Sequence, residues 1–198
     1  MFKRICKITF ITHGTTIHSL DGIISTSLKS PKLNDIGEED IEKVCEYLQK
    51  RGVAYDKIYS SPNACCTESA QIIAKMFKKK AITIDLLPRN YGVWKTSSYS
   101  DLFDEYGFDV LSQTPENGEP LKDFNKRVDK VLNGLIKENV GNRIIVVTTP
   151  EVIQSAIAKT LGLSPKNQHK LLIQTGSLTQ ISYFKGWSSV IYSDYKPL

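Results

Sequence analysis

Apolar and polar positions along this chain switch repeatedly between a period of two and a period near 3.6. Residues 5–12 hold a short β-prone run, Ile8-Thr9-Phe10-Ile11, that ends at His13-Gly14. A loop is expected next, through Asp21-Gly22 to Pro31. Residues 36–51 read as an amphipathic helix with Ile41, Val44, Cys45 and Leu48 as its apolar stripe and Gly52 as its stop. Lys57-Ile58-Tyr59-Ser60 is a short strand, 63–79 a second helix with Ala70, Ile73, Ala74 and Phe77 on one face, and Ile82-Thr83-Ile84 another short strand. Residues 86–120 carry Gly, Pro and aromatic residues with weak periodicity, so an irregular excursion is expected there, with a short helix near 99–106. Leu121, Phe124, Val128, Val131, Leu132 and Leu135 then make a long helical stripe. Arg143 to Val147 leads a continuous apolar run of the buried-strand type. A helix over 150–161 follows, with Thr148 or Thr149 as N-cap and Pro150 near its first position, and strands at 178–184 and 189–193 close the chain.

Strands alternating with helices predict an α/β fold: a three-layer αβα sandwich around a mostly parallel central sheet. The 198 residues suit one domain, 1–198, without repeats or linkers. Hydrophobic residues at 40% and charged residues at 24% exclude a disordered chain. The 26 Lys+Arg against 21 Asp+Glu leave a net charge of +5, too scattered to point to nucleic acid. Lys78-Lys79-Lys80 reads as a solvated helix end, where cations suit the dipole. Charges interrupt the first apolar positions and no stretch approaches ~18 apolar residues, so neither a signal peptide nor a membrane partner is expected, and a cytoplasmic location is.

Cys6, Cys45, Cys65 and Cys66 form no C-x-x-C pair, and His13, His18 and His169 lack a cluster of further ligands, so no metal and no cofactor are expected. Cys45 and Arg51 share the spacing of cysteine-dependent phosphatases, but Cys45 belongs to the apolar stripe of its helix and so faces a core.

Open α/β sheets bind ligands at the carboxyl ends of their strands. Two such ends stand out, Thr12-His13-Gly14-Thr15-Thr16 and Thr148-Thr149-Pro150-Glu151, each followed by a helix start that suits an anion. Here the sequence resembles the histidine phosphatase superfamily, also called phosphoglycerate mutase-like. The family's R-H-G-E-T is met by Thr12-His13-Gly14-Thr15-Thr16, and its L-T-x-x-G by Leu33-Asn34-Asp35-Ile36-Gly37. Its S-S-P-L-x-R-A-x-Q-T-A is met by Ser60-Ser61-Pro62-Asn63-Ala64-Cys65-Cys66-Thr67-Glu68-Ser69-Ala70. Its L-x-E-x-x-x-G-x-W is met by Leu86-Leu87-Pro88 with Gly92 and Trp94, and its P-x-G-E-S and F-x-x-R-V by Pro115 to Pro120, Phe124 and Arg127-Val128. Its V-V-S-H-G-G-V-I-R is met by Val146-Val147-Thr148-Thr149-Pro150-Glu151-Val152-Ile153-Gln154. Six fragments in order imply the family's fold.

The resemblance also implies a chemistry that the residues depart from. The family uses one His as phosphoryl acceptor, two Arg and a second His as a phosphate clamp, and a carboxylic acid as proton donor. Only His13 matches. Thr12 and Cys65 stand at the arginine positions, Thr149 at the second His, and Pro88 at the acid. The degenerate phosphate pocket implied is Thr12, Gly14, Thr15, Cys65, Thr149 and Pro150 beside His13. A phosphate monoester carries roughly −1.5 to −2 charge. Losing two arginines and a histidine removes roughly 4–9 kcal/mol of phosphate binding, an upper figure because such terms do not add. Losing the acid costs about 10²–10⁴-fold in rate. Glu151 adds like-charge repulsion. Arg89 is the leading candidate for a relocated cation, with Lys95 and His18 behind it.

Three readings follow. The first is a catalytically inactive pseudo-phosphatase that binds an unknown protein or small molecule. The alternative is a divergent phosphomonoester hydrolase or mutase acting through phospho-His13. The third is thiol chemistry at Cys65 or Cys66, against which stands cysteine as a small apolar filler. Glu119 is expected to orient the helix after it, and Tyr99, Phe103, Tyr106 and Phe108 to pack the excursion over the sheet.

Overall fold

The computed structural model describes residues 3–25 and 30–197. The expected loop to Pro31 therefore lies partly outside the described residues, at 26–29. Twelve strands and α-helices follow in the order β1 (Arg4–Thr12), α1 (Ile17–Leu20), α2 (Asp35–Lys50), β2 (Lys57–Ser60), α3 (Ala64–Met76), β3 (Ala81–Thr83), α4 (Tyr99–Tyr106), α5 (Leu121–Glu138), β4 (Arg143–Thr148), α6 (Pro150–Leu161), β5 (Leu178–Phe184) and β6 (Trp187–Tyr195). The sheet order is β3-β2-β4-β1-β5-β6. β3, β2, β4 and β1 are mutually parallel, and β5 and β6 add an antiparallel edge.

Both sheet faces are covered, as the continuous apolar run 144–147 of β4 and the buried segment 8–11 of β1 require. Ile8, Phe10, Ile144 and Val146 point to one face, where Phe124, Val128 and Leu132 of α5 and Ile153 and Ile157 of α6 pack. Ile11, Ile145, Val147 and Ile58 point to the other, against Ile41, Val44 and Leu48 of α2 and Ile73 of α3. The result is the α/β sandwich expected from the pattern. Among the described residues no helix is long and apolar enough to cross a membrane.

Cys45 is fully buried in the α2 stripe, and burial pushes its thiol up to about 12, which removes any thiolate role beside Arg51. α3 stops at Met76 rather than continuing to 79, because Lys78 takes a left-handed backbone at φ 51°. Lys78, Lys79 and Lys80 are exposed beyond that end. Two elements escaped the pattern: α1, a single capped turn, and a 3-10 helix at Pro165–Lys170. The excursion forms its own small core from Ile24, Tyr91, Trp94, Leu102 and Val110. Tyr99 and Phe103 pack against that core, but Phe108 is 81% exposed and Tyr106 is also open to solvent. The expectation that all four aromatics pack there is corrected accordingly: Gly107, at φ 78°, ends α4 and starts a new 3-10 turn at Phe108.

The loop after β1 is held against α2 by backbone contact between two glycines' segments. A Cβ on Gly14 would lie 2.2 Å from the Gly37 carbonyl oxygen, and one on Gly37 would lie 2.1 Å from that of Thr15. Asn34 caps α2 by accepting from the Gly37 N–H at 2.9 Å, which fixes the approach. Gly37→Ala is therefore expected to lower stability by about 1–3 kcal/mol, measured as the urea midpoint, through overpacking. An unchanged midpoint would show that the two backbones can part without loss.

Candidate functional site

The parallel register puts Thr12 of β1 beside Thr148 of β4, so the two chemically marked strand ends meet. The chain then crosses between them: the His13 N–H donates to the Thr148 carbonyl at 3.1 Å. Ser61, just past β2, ties three segments together through its hydroxyl. It hydrogen-bonds to Thr148 Oγ1 at 2.7 Å and donates to the Leu86 carbonyl at 2.6 Å. The serine-threonine run thus serves as a staple beneath the site.

A cavity of about 490 Å³ opens above these ends. His13, Thr149, Pro150 and Arg89 line it. The other members of the sequence-derived set do not. Thr12 is fully buried and its hydroxyl pairs with Ser177 Oγ at 3.2 Å, toward β5. The Gly14 N–H donates to Ser69 Oγ at 3.1 Å. Thr15 Oγ1 donates to Asp40 Oδ2 at 2.7 Å and pairs with Thr175 Oγ1 at 2.9 Å. Cys65 sits behind the imidazole rather than in the wall. Pro88 is buried, and its carbonyl accepts from Arg127 Nη2 at 3.3 Å. These positions are corrected from ligand contacts to support: their polar atoms already have protein partners.

His13 is 9% exposed. Its Nδ1 lies 2.8 Å from the Gly14 carbonyl oxygen. A carbonyl only accepts, so Nδ1 carries the proton and the other ring nitrogen is left to act. Cys65, in the first turn of α3, hydrogen-bonds to the imidazole, and its Sγ lies 3.6 Å from Ser30 Oγ. The Cys65 thiol is held well below its ordinary range by a hydrogen bond from Cys66, against burial, with the His13 charge helping. Burial pulls His13 down, but the Cys65 thiolate, the Gly14 carbonyl and the Glu151 carboxylate outweigh it and raise the imidazole. Cys66 is pushed up by burial beside that thiolate. The two groups shift in opposite directions, each favouring the other's charged form.

The wall has little free positive charge. Arg89 is 1% exposed, and its Nε and Nη1 donate to the carbonyls of Glu119 at 2.9 Å and Leu111 at 2.6 Å, while Nη2 donates to that of Gln113. Its fork knits the excursion together. Lys196 pairs with Asp40 at 2.9 Å, and Lys95 is exposed away from the wall. Glu119 does not act on the helix dipole as expected. It takes both Arg127 Nε at 3.0 Å and Nη2 at 2.9 Å, and Arg127 carries the carbonyls of Leu87 and Pro88. Glu119 is thus a two-point anchor for the loop at the former acid position.

Thr149 caps α6 by its backbone only. Its Oγ1 is buried without a hydrogen-bond partner among the described residues, and so are Glu151 Oε2, His18 Nδ1 and His169 Nδ1. His169, Gln154, Gln168 and Thr175 also line the cavity; in the sequence Gln154 stands only as the end of a family motif and His169 only as a lone histidine, and no motif marks the segment after α6 that holds Gln168 and Thr175. Among the described residues no group of three or more His, Cys, Asp or Glu is placed to hold a metal.

The family model of the histidine phosphatase superfamily (branch 1) matches residues 8–193. A broad-specificity phosphatase of Saccharomyces cerevisiae is 25% identical over 195 residues, covering 92% of this chain and 82% of the relative. The adenosylcobalamin/alpha-ribazole phosphatase of Escherichia coli is 22% identical over 186 residues, covering 88% and 89%. The crystal structure of a phosphoserine phosphatase from Entamoeba histolytica, in complex with 3-phosphoglyceric acid, superposes with a TM-score of 0.84 at 22% identity, covering 97% and 98%.

Removing the thiolate leaves burial as the main influence on His13. In Cys65→Ala the imidazole is expected to release its proton below the ordinary imidazole value, as followed by NMR titration of the ring. Titration at the same pH as in the parent protein would contradict the ion pair.

Proposed function

We propose that this chain, which belongs to the histidine phosphatase superfamily, binds a ligand in its cavity without turning over phosphate esters: an inactive relative of phosphatases serving as a binding or scaffold protein. The observation that carries this reading is the charge around His13. The basic side chains in the described wall besides histidine are Arg89 and Lys196, one tied to carbonyls and the other to Asp40. Glu151 faces the space a phosphate would need. Phosphoryl transfer relies on positioned positive charge, so this composition opposes the main source of catalysis. The four free cysteines suit a reducing, cytoplasmic setting.

The comparisons favour a second reading, a divergent phosphomonoester hydrolase or mutase. Its support is that the curated relatives named above are phosphatases, together with the orientation of His13. Freed from Cys65 and deprotonated, the ring nitrogen opposite Nδ1 would attack phosphorus, the ester oxygen would leave with a proton, and water would release phosphate from the phosphohistidine. Glu151 is the one carboxyl group in the described wall able to supply that proton.

A screen of phosphate monoesters separates the two. The proposal expects no turnover that His13→Ala abolishes. Turnover in the usual range, about 1–10³ s⁻¹, lost in that variant and accompanied by acid-quenched phosphohistidine, would establish the second reading.

A further inference from the structure

We infer that the cavity selects a small organic cation, an ammonium group carried on an apolar chain, with the Glu151 carboxylate as its partner. The inference rests on the proposed reading that the cavity binds without turnover, and gives that site a ligand class.

Two observations on separate residues point to a ligand rich in donors. Glu151, in the first turn of α6, has a carboxylate oxygen buried without a hydrogen-bond partner among the described residues. Thr149 is 4% exposed, lines the same cavity, and its hydroxyl is unpartnered in the same way. A carboxylate withdrawn from water is strongly disfavoured unless it is paired and hydrogen-bonded. No ion pair reaches Glu151 among the described residues, because Lys196 is held by Asp40 and the Arg89 guanidinium is turned to carbonyls. The remaining unpartnered polar atoms of the wall, Nδ1 of His18 and of His169, accept or donate according to the ring tautomer.

The rest of the wall suits the body of such a ligand. Tyr91 and Tyr99 line the same cavity, and the Tyr91 ring already faces the Arg89 guanidinium, 5.1 Å from its centroid. Leu121, Phe124 and Ile173 supply apolar surface for a short chain. About 490 Å³ is within the usual range for small-ligand sites. The inventory differs from that of a phosphate site in where its free groups lie: the Arg89 fork is spent on three carbonyls, while Glu151 and Thr149 keep unpartnered oxygens.

The test is calorimetric titration of the full chain with n-hexylamine at neutral pH, hexan-1-ol and n-hexyl phosphate. The amine is expected to bind at least about tenfold tighter than the alcohol, and the phosphate ester weakest of the three. Glu151→Gln, checked for folding by circular dichroism, is expected to lose about tenfold or more for the amine and nothing for the alcohol. Equal binding of amine and alcohol, an unchanged affinity in Glu151→Gln, or no binding of the amine would overturn the inference. Phosphate release from n-hexyl phosphate, lost in His13→Ala, would instead overturn the non-catalytic reading on which it rests.

Discussion

Sign of charge governs this site. A phosphate ester brings nearly two negative charges into a space with few water molecules, and only fixed cations there make the transfer favourable. In this chain the ends of β1 and β4 meet as the fold requires, and the imidazole is aimed into a cavity. The charges around it have been reversed or tied up. Arg89 serves loop carbonyls, Cys65 lies beside the imidazole, and Glu151 stands at the start of α6.

The scaffold that would position a phosphate is nonetheless kept with care. Gly14 and Gly37 allow a backbone contact that any Cβ would block. Ser61 and Thr148 lock strand ends together, and Glu119 holds Arg127 in a two-point grip that supports Leu87 and Pro88. These groups shape the cavity without touching its contents.

The fold was largely legible because period and punctuation agree. β4 is a continuous apolar run, β1 is β-prone up to His13-Gly14, and the stripes of α2 and α5 are regular enough to assign faces. α1 was not legible: a four-residue turn held by its cap at Thr16 and Ser19 has no room to show a period. Of the site, His13 and Thr149 were legible from strand ends and from the family resemblance. The fates of Thr12 and Arg89 were not, since both depend on partners far along the chain, Ser177 for one and Leu111, Gln113 and Glu119 for the other. His169 lay in a turn that no motif marks.

The most direct measurement is titration of the protein with orthophosphate and then orthovanadate, following the ring nitrogens of His13 by NMR. A site without a cationic clamp should give no saturable change below about 10 mM, the weak side of millimolar binding. Saturation at micromolar concentration, with the His13 resonances shifting, would contradict the account, because the anion would then be held by positive charge that this structure assigns elsewhere.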